Sequence, residues 1–155
     1  MRLRLISTCM VLWAFDGGLA WASLGGSNDS VLTDRARLAA VMKSDKIAGR
    51  PVQTLTLANG AVRKELVTAQ GSVFAVTWRG RSKPDLRQLL GPYFARFEAE
   101  SASQSGRRTR RALVVESGDL VVHSSGANGA FWGYAYLPPI IPDNFSRNEI
   151  DPVRP

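Results

Sequence analysis

The sequence predicts an α+β protein whose core is one antiparallel sheet of about six strands, arranged in two meanders, with two helices on one face. Three observations predict this class. Short alternating segments are separated by turn signals such as Asn59-Gly60, apolar residues recur at helical spacing in two stretches, and the order helix, strand, strand, strand occurs twice.

The first 22 residues have the layout of a secretory signal peptide. Arg2 and Arg4 precede an apolar run of eleven residues, Leu5–Phe15, and residues 20–22 (Ala-Trp-Ala) place two small side chains at the spacing that a signal peptidase requires. A membrane-spanning helix needs about 20 apolar residues, so this run is too short for an anchor. We therefore expect cleavage after Ala22 and a periplasmic or secreted protein, with no transmembrane anchor in the mature chain.

Cleavage would leave residues 23–155, a chain of 155 less 22, or 133, residues. That length suits one domain, which we expect over residues 23–137. Residues 138–155 hold five of the eight prolines and are expected to form a C-terminal tail that is extended across the surface or disordered. The only cysteine, Cys9, would leave with the signal, so no disulfide or thiol chemistry is expected.

The net charge expected after cleavage indicates that a partner would be anionic. Removing Arg2, Arg4 and Asp16 with the signal leaves 18 basic and 12 acidic side chains, a net charge of +6. Such a charge would make nucleic acid a candidate partner inside a cell, but export disfavours it. The expected partners are an anionic component of the cell envelope, such as phospholipid headgroups, lipopolysaccharide or acidic polysaccharide, or an envelope protein.

The first half of the mature chain is expected to contain one helix and three strands. Residues 23–29 are rich in glycine and serine and are expected to be mobile, and a helix is predicted from Val31 to about Lys43. Asn59-Gly60 predicts a type I′ hairpin turn, and Gln70-Gly71 predicts the next turn. The third strand is apolar on both faces, which predicts a central position. The three strands are Val52–Ala58, Ala61–Ala69 and Ser72–Trp78.

The second half is expected to repeat this order. A helix is predicted to begin at Pro84 or Asp85, with large apolar residues at helical spacing, and to kink or split at Gly91-Pro92. A polar, basic loop follows over residues 101–111. The strands of the second meander are Ala112–Glu116, Asp119–His123 and Ala130–Leu137.

The two halves share a spacing of glycines. The separation in sequence between Gly60 and Gly118 is the same as the separation between Gly71 and Gly129. A duplicated α-β-β-β unit would explain this shared offset, and so would two unrelated meanders with similar turns.

The chain resembles a known family at three stretches: NGAVRKELVTAQGSVFAVTWRG, PDLRQLLGPYF and LVVHSSGANGAFWGYAYLPPIIP. The mature start, SLGG, also fits. The resemblance is to domain-of-unknown-function family 2844, exported proteins of proteobacteria, and it spans nearly the whole mature chain. It implies export and a single domain and supplies no catalytic residue. Where this chain has Ala127-Asn128 the family often has Gly-His-Met, so no role of that histidine is carried over.

The sequence contains no recognisable catalytic or metal-binding motif. His123 is the only histidine, so a metal site would lack ligands of histidine or cysteine type. Ser124 is adjacent to it, but adjacent residues on a strand point to opposite faces. We therefore assign no catalytic residue, no metal ligand and no cofactor.

Aromatic side chains at alternate positions of the last strand form one candidate contact surface. Period-two spacing places Trp132, Tyr134 and Tyr136 on one side of the sheet, where they could stack on sugar rings or on an apolar partner surface. The favoured interpretation is that they belong to the core and cover the second helix, facing Phe94 and Phe97.

Arginines form the other candidate contact surface. Arg79 and Arg81 stand at the end of the third strand, and four more crowd one loop: Arg107, Arg108, Arg110 and Arg111. Like charges at this density repel unless they meet an anion or stay solvated. Arginine forks suit phosphate and carboxylate, although a solvated loop explains the pattern as well.

These observations favour an exported cell-envelope protein with a non-enzymatic binding or accessory role. An alternative is a small hydrolase of envelope polymers with no recognisable catalytic motif, for which His123 and Asp119 would be tested first. A cytoplasmic nucleic-acid binder would require that the signal is not cleaved.

Overall fold

The structure is a computed structural model that describes residues 23–27, 40–103, 107–108 and 112–150, with the backbone alone described at 107–108. Its helices are α1 (Leu86–Leu90) and α2 (Phe94–Ala102), joined by a 3-10 turn over Gly91–Tyr93. Its strands are β1 (Val41–Ile47), β2 (Arg50–Thr56), β3 (Val62–Val67), β4 (Val73–Gly80), β5 (Arg107–Arg108), β6 (Ala112–Glu116), β7 (Val121–Ala127) and β8 (Ala130–Tyr136).

All eight strands form one antiparallel sheet in the order β1-β2-β3-β4-β8-β7-β6-β5. The α+β class and the two meanders are confirmed. The number of strands is eight rather than about six. β1 begins in the segment predicted as helix and continues through residues 44–47, for which no element was predicted, and β5 forms in the predicted basic loop. The helix predicted to split at Gly91-Pro92 does so, and Asp85 caps α1 by accepting a 3.1 Å hydrogen bond from the N–H of Gln88.

The prediction of a helix as far as Lys43 was wrong, because residues 41–43 belong to β1. Ala48 and Gly49 have φ values of 50° and 81°, the pattern of a type I′ turn, and this turn pairs Ile47 with Arg50. The pairing of β1 with β2 thus outweighs a weak helical periodicity. Residues 28–39, on which the rest of the predicted helix falls, lie outside the described residues.

The turn at Asn59-Gly60 is where the sequence predicted it, but its type differs. Gly60 has a φ of 76°, whereas Asn59 is not left-handed, and the N–H of Gly60 bonds to the carbonyl of Leu57. The Asn59 side chain instead accepts a 3.0 Å hydrogen bond from the N–H of Ala61. A two-residue type I′ turn occurs in the other meander, at Asn128-Gly129, where the φ values are 52° and 75°.

One face of the sheet packs against the helices and forms the helix-side core. Val76 and Trp78 of β4 lie there with Leu89, Leu90 and Phe97. The segment 23–27, expected to be mobile, is fixed to this core. Its Leu24 is fully buried and donates a 3.0 Å hydrogen bond to the carbonyl of Leu89.

The opposite face forms a second core beneath residues 138–150, which we call the strap. The strap contains two 3-10 turns, Pro138–Ile140 and Arg147–Glu149, and its Phe145 and Ile150 pack against the sheet. A bulge in β4 helps to build this core. Leu66 pairs with Ala75 while Val67 pairs with Val73, so Phe74 is the extra residue and joins the strap-side core. Its ring meets that of Phe145 edge-on at 5.4 Å.

A buried ion pair holds the strap to β2. Arg50 and Glu149 are 2.6 Å apart, with side chains that are 8% and 12% exposed, and Arg50 also donates to Asn144. Glu149 further accepts a hydrogen bond from the N–H of Ser146, which closes the last 3-10 turn.

The shared offset of the glycines is also an offset of strand register. Arg63 lies opposite Trp78 in the first half. The same offset carries Arg63 to Val121 and Trp78 to Tyr136, and these two residues also lie opposite each other.

The offset does not, however, preserve the faces of the sheet. Trp78 lies in the helix-side core, whereas Tyr136, at the same offset, lies in the strap-side core. A two-fold axis between β4 and β8 would keep equivalent residues on one face, so the matching register does not show a duplicated unit. The outer hairpins also have turns of different length.

Replacement of Gly133 by alanine should destabilise the protein by about 3 kcal/mol, because the core there has no room for a methyl group. An added Cβ would lie 2.2 Å from the carbonyl oxygen of His123 and 2.5 Å from the Trp78 ring. Gly118→Ala is the control, since a Cβ there meets no atom within 4 Å. Urea denaturation measures both, and equal midpoints for the two variants would contradict the described packing.

Glu149→Ala should lower the free energy of unfolding by about 3 kcal/mol, because it leaves the Arg50 charge buried without its carboxylate. Asp45→Ala removes one partner of the exposed Lys43–Asp45 pair and should cost less than about 1 kcal/mol. Thermal and urea unfolding of both variants make the comparison. A loss no larger for Glu149→Ala than for Asp45→Ala would show that the strap is not held by this pair.

Candidate functional site

The strap covers only part of its face of the sheet and leaves a surface that we call the open face. The buried row beneath the strap includes Leu66 and Tyr136, and the next rows along the strands carry polar and aromatic side chains. Alternation along each strand places these side chains on the strap side of the sheet. The open face includes Thr54, Thr56, Lys64, Arg79, His123, Trp132 and Tyr134, with Val62, Thr77 and Ser125 between them and Val41 at the β1 edge.

Three rings of the open face form a contiguous cluster across β7 and β8. The His123 ring lies 5.2 Å from the ring of Trp132 and 5.3 Å from that of Tyr134, the latter in an edge-on arrangement. His123 reaches both rings because it is the cross-strand partner of Tyr134. All three side chains are half-buried, so each ring is supported by neighbours and still meets solvent.

The predicted aromatic row is therefore divided between surface and core. Tyr136 is buried beneath the strap, stacked on Tyr134 at 6.3 Å, with Arg147 lying 5.7 Å above its ring. The expectation that the row covers the second helix was wrong, because Phe94 and Phe97 pack on the other face of the sheet.

The physical reason for this division is the alternation of β8. Gly133 and Ala135 point toward the helices, and the Trp78 ring occupies the space above Gly133. A large side chain would not fit at Gly133. The aromatic residues of β8 therefore occupy the alternate positions, whose side chains point to the face opposite the helices.

Arginine side chains adjoin the rings at the end of β4, where a groove of about 560 Å³ opens. This end groove lies between the turn at Asn59-Gly60 and the turn at Asn128-Gly129, because both turns flank the point where β4 ends. Arg79, Arg81 and Trp132 line it, and none of its lining residues is acidic. Arg79 is the cross-strand partner of Trp132. Two candidate groups that are far apart in the sequence thus meet at one site.

The charges of the end groove are not neutralised by the described part of the chain. Arg79 and Arg81 are both exposed, and neither forms an ion pair with a described carboxylate. Other basic side chains are paired: Arg96 lies 2.7 Å from Asp119, and Arg50 is paired with Glu149.

The arginine loop is only partly described. The backbones of Arg107 and Arg108 form β5, with Arg107 opposite Val114 at the edge of the sheet. Arg110 and Arg111 lie outside the described residues, so an anion-docking role for the loop stays a prediction.

A larger cleft of about 590 Å³ lies on the helix side, between the helices and strands β6 to β8. Its lining is mixed, with Leu86, Phe97 and Phe131 among the apolar residues and both signs of charge among the polar ones. Two of its charged residues are paired with each other: Arg87 lies 4.3 Å above the Phe94 ring and 3.8 Å from a Glu98 oxygen.

The residues that were considered as catalytic candidates do not lie together in the fold. Ser124 lines the helix-side cleft, whereas the His123 ring lies in the ring cluster of the open face. Asp119 pairs with Arg96 and accepts a hydrogen bond from Ser117. Within the described ranges, no three side chains of His, Cys, Asp or Glu are grouped as metal ligands would be.

Sequence reasoning missed two members of the site. Lys64 was treated as part of a strand, and His123 was set aside because it lacked catalytic partners. Cross-strand register reveals both: Lys64 lies opposite Thr77, which lies opposite Tyr134, and His123 is the next neighbour of Tyr134. The sequence does contain a signal for these two residues, because they alternate in phase with the other members of the site along their strands. That signal can be used only when the order of the strands in the sheet is known.

Comparisons with known proteins agree with the resemblance found in the sequence. Residues 20–150 match the model of a family described as "Protein of unknown function (DUF2844)". Searches of curated proteins and of solved structures returned no match. Among the described helices, none combines the length and the hydropathy needed to cross a membrane.

Proposed function

The chain belongs to the DUF2844 family, and from the geometry of its open face we propose that it is an exported, non-enzymatic protein that binds an anionic component of the cell envelope. The observation that carries the proposal is the end groove. Two exposed arginines, Arg79 and Arg81, stand beside the half-exposed ring of Trp132, and the lining contains no carboxylate.

The electrostatics of this groove favour an anionic ligand. A guanidinium presents a planar fork of donors that matches carboxylate and phosphate. An unpaired cation at the surface keeps its full charge for a ligand, whereas one already paired would first have to leave its partner. The net charge of +6 expected for residues 23–155 adds a long-range attraction of the same sign.

The cell-envelope location rests on the first 22 residues. Their positive start, apolar run of eleven residues and Ala-Trp-Ala end have the layout of a cleaved secretory signal. Anions available to an exported protein are phosphate groups and carboxylates of envelope lipids and polymers, or an acidic protein. Anionic ligands of the proposed kind are therefore present in the compartment where the protein is expected to be.

Arg79→Gln/Arg81→Gln should weaken association with isolated anionic envelope material by roughly 5- to 30-fold. The loss corresponds to about 1–2 kcal/mol for two exposed charge pairs. The wild-type interaction should itself weaken as salt rises from 50 to 300 mM, because surface charges are screened. Sedimentation with envelope fractions or biolayer interferometry measures both effects.

The matched control is Lys46→Gln/Arg147→Gln. Both side chains are exposed, and neither lines the end groove, so the double variant loses the same charge elsewhere. An equal loss in the two double variants would mean that net charge alone attracts the ligand. Association that is insensitive to salt and unchanged in Arg79→Gln/Arg81→Gln would refute the proposed function.

The arginine loop provides a separate test. Replacement of Arg107, Arg108, Arg110 and Arg111 by serine should weaken the same association if the loop also docks on anions. The additional loss should disappear at high salt. If the quadruple variant binds as the wild type does and has a normal melting temperature, the loop does not contact the ligand. The end groove would then be the remaining candidate contact.

A further inference from the structure

We propose that the ligand of the open face is an acidic polysaccharide, with a sugar ring stacked on Trp132 and its carboxylates held by Arg79 and Lys64. This inference rests on the proposed function and names the chemical class of its ligand. The juxtaposition that carries it is a supported cluster of half-exposed rings on β7 and β8, with two cations beside it on β3 and β4.

The ring cluster is a suitable platform for stacking. Trp132 and Tyr134 lie two positions apart on β8, about 6.6 Å along the strand, and the His123 ring fills the space beside them. Because each ring is fixed by its neighbours, little side-chain entropy is lost when a ligand covers it. The apolar C–H face of a sugar ring fits such a surface, since it buries area against the rings while its hydroxyls stay at the edge.

The cations are placed to meet repeated negative charge. Arg79 is the direct cross-strand neighbour of Trp132, so their Cβ atoms are about 5 Å apart. Lys64 is two strands from Tyr134, a distance of about 10 Å across the sheet. Both cations are exposed. A chain with a carboxylate on successive sugars could contact both while one ring remains stacked.

The polar part of the face suits a sugar better than a lipid surface. Thr54 and Thr56 lie on the same face as Lys64 and offer hydroxyls that can donate and accept hydrogen bonds. The rings are half-buried in the sheet surface, and Val41 is the one exposed large apolar side chain on the described part of this face, whereas a segment that inserts among acyl chains presents several projecting apolar side chains. These features favour a hydroxylated polymer over an anionic bilayer.

The probe is oligogalacturonate of defined length, compared with the same oligomer fully methyl-esterified, which keeps the sugar and removes the charge. Binding is measured by calorimetry and by tryptophan fluorescence. We expect oligogalacturonate to bind, Trp132→Ala to weaken binding about tenfold, and the esterified form to bind at least about tenfold more weakly than the acid.

Trp132→Phe separates ring contact from folding. A phenyl ring preserves stacking, so binding should fall by less than about threefold, while the change in fluorescence on binding should be lost because the reporting indole is gone. The melting temperatures of both Trp132 variants are measured alongside. Phe94→Ala, which removes a half-buried ring on the opposite face, is the control and should leave binding unchanged.

Vesicles of phosphatidylcholine with phosphatidylglycerol distinguish the inference from the proposed function. Binding to these vesicles that depends on Arg79 and Arg81, with no binding of oligogalacturonate, would overturn the polysaccharide and keep an anionic envelope ligand. Equal binding of the acid and its ester, or full binding by folded Trp132→Ala, would also overturn it. No binding of either probe or of envelope fractions would refute both the inference and the function on which it rests.

Discussion

The pairing of β4 with β8 is the interaction on which the rest of the molecule depends. It is the only contact between the sheet halves that is made through paired strands among the described residues. β4 is buried from Val73 to Trp78, and the Trp78 indole rests on Gly133 of β8. The same pairing places Arg79 beside Trp132. The strand pair that connects the two halves of the sheet therefore also forms the candidate site.

The alternation of side chains along β8 decides on which face of the sheet the candidate site lies. Small residues at Gly133 and Ala135 are required toward the helices, and this sends Trp132 and Tyr134 to the opposite face. The strap then covers that face only as far as Tyr136. What remains open is a boundary between a packed core and solvent, where aromatic rings are supported by their neighbours and still meet solvent.

Much of the fold could be predicted from local signals, because most of its strands are joined by short turns. Asn59-Gly60, Gln70-Gly71 and the kink at Gly91-Pro92 all lie where the sequence placed them. β1 was missed because residues 41–43 fit a helical period and their strand state depends on pairing with β2. The shared spacing of glycines matches the register of β3 with β4 and of β7 with β8, but the packing shows that this offset exchanges the two faces of the sheet.

The candidate site was less accessible to sequence reasoning than the fold. The residue types were recognised, since Arg79, Arg81, Trp132 and Tyr134 were all singled out. Their assembly was not, because it depends on which strands are neighbours in space, and β4 and β8 are separated by the helices and the second hairpin. A bulge at Phe74 and the buried pair of Arg50 with Glu149 likewise have no local signature.

The topology of the sheet has a consequence for the order in which the protein folds. Every described strand pair other than β4–β8 joins strands that are consecutive in the chain, so each half can form from short loops. Joining Gly80 to Phe131 closes a loop of about 50 residues, which costs on the order of 3 kcal/mol in chain entropy. We therefore expect the docking of the two halves to be the slow, long-range step of folding, and the candidate site to be assembled only when that step is complete.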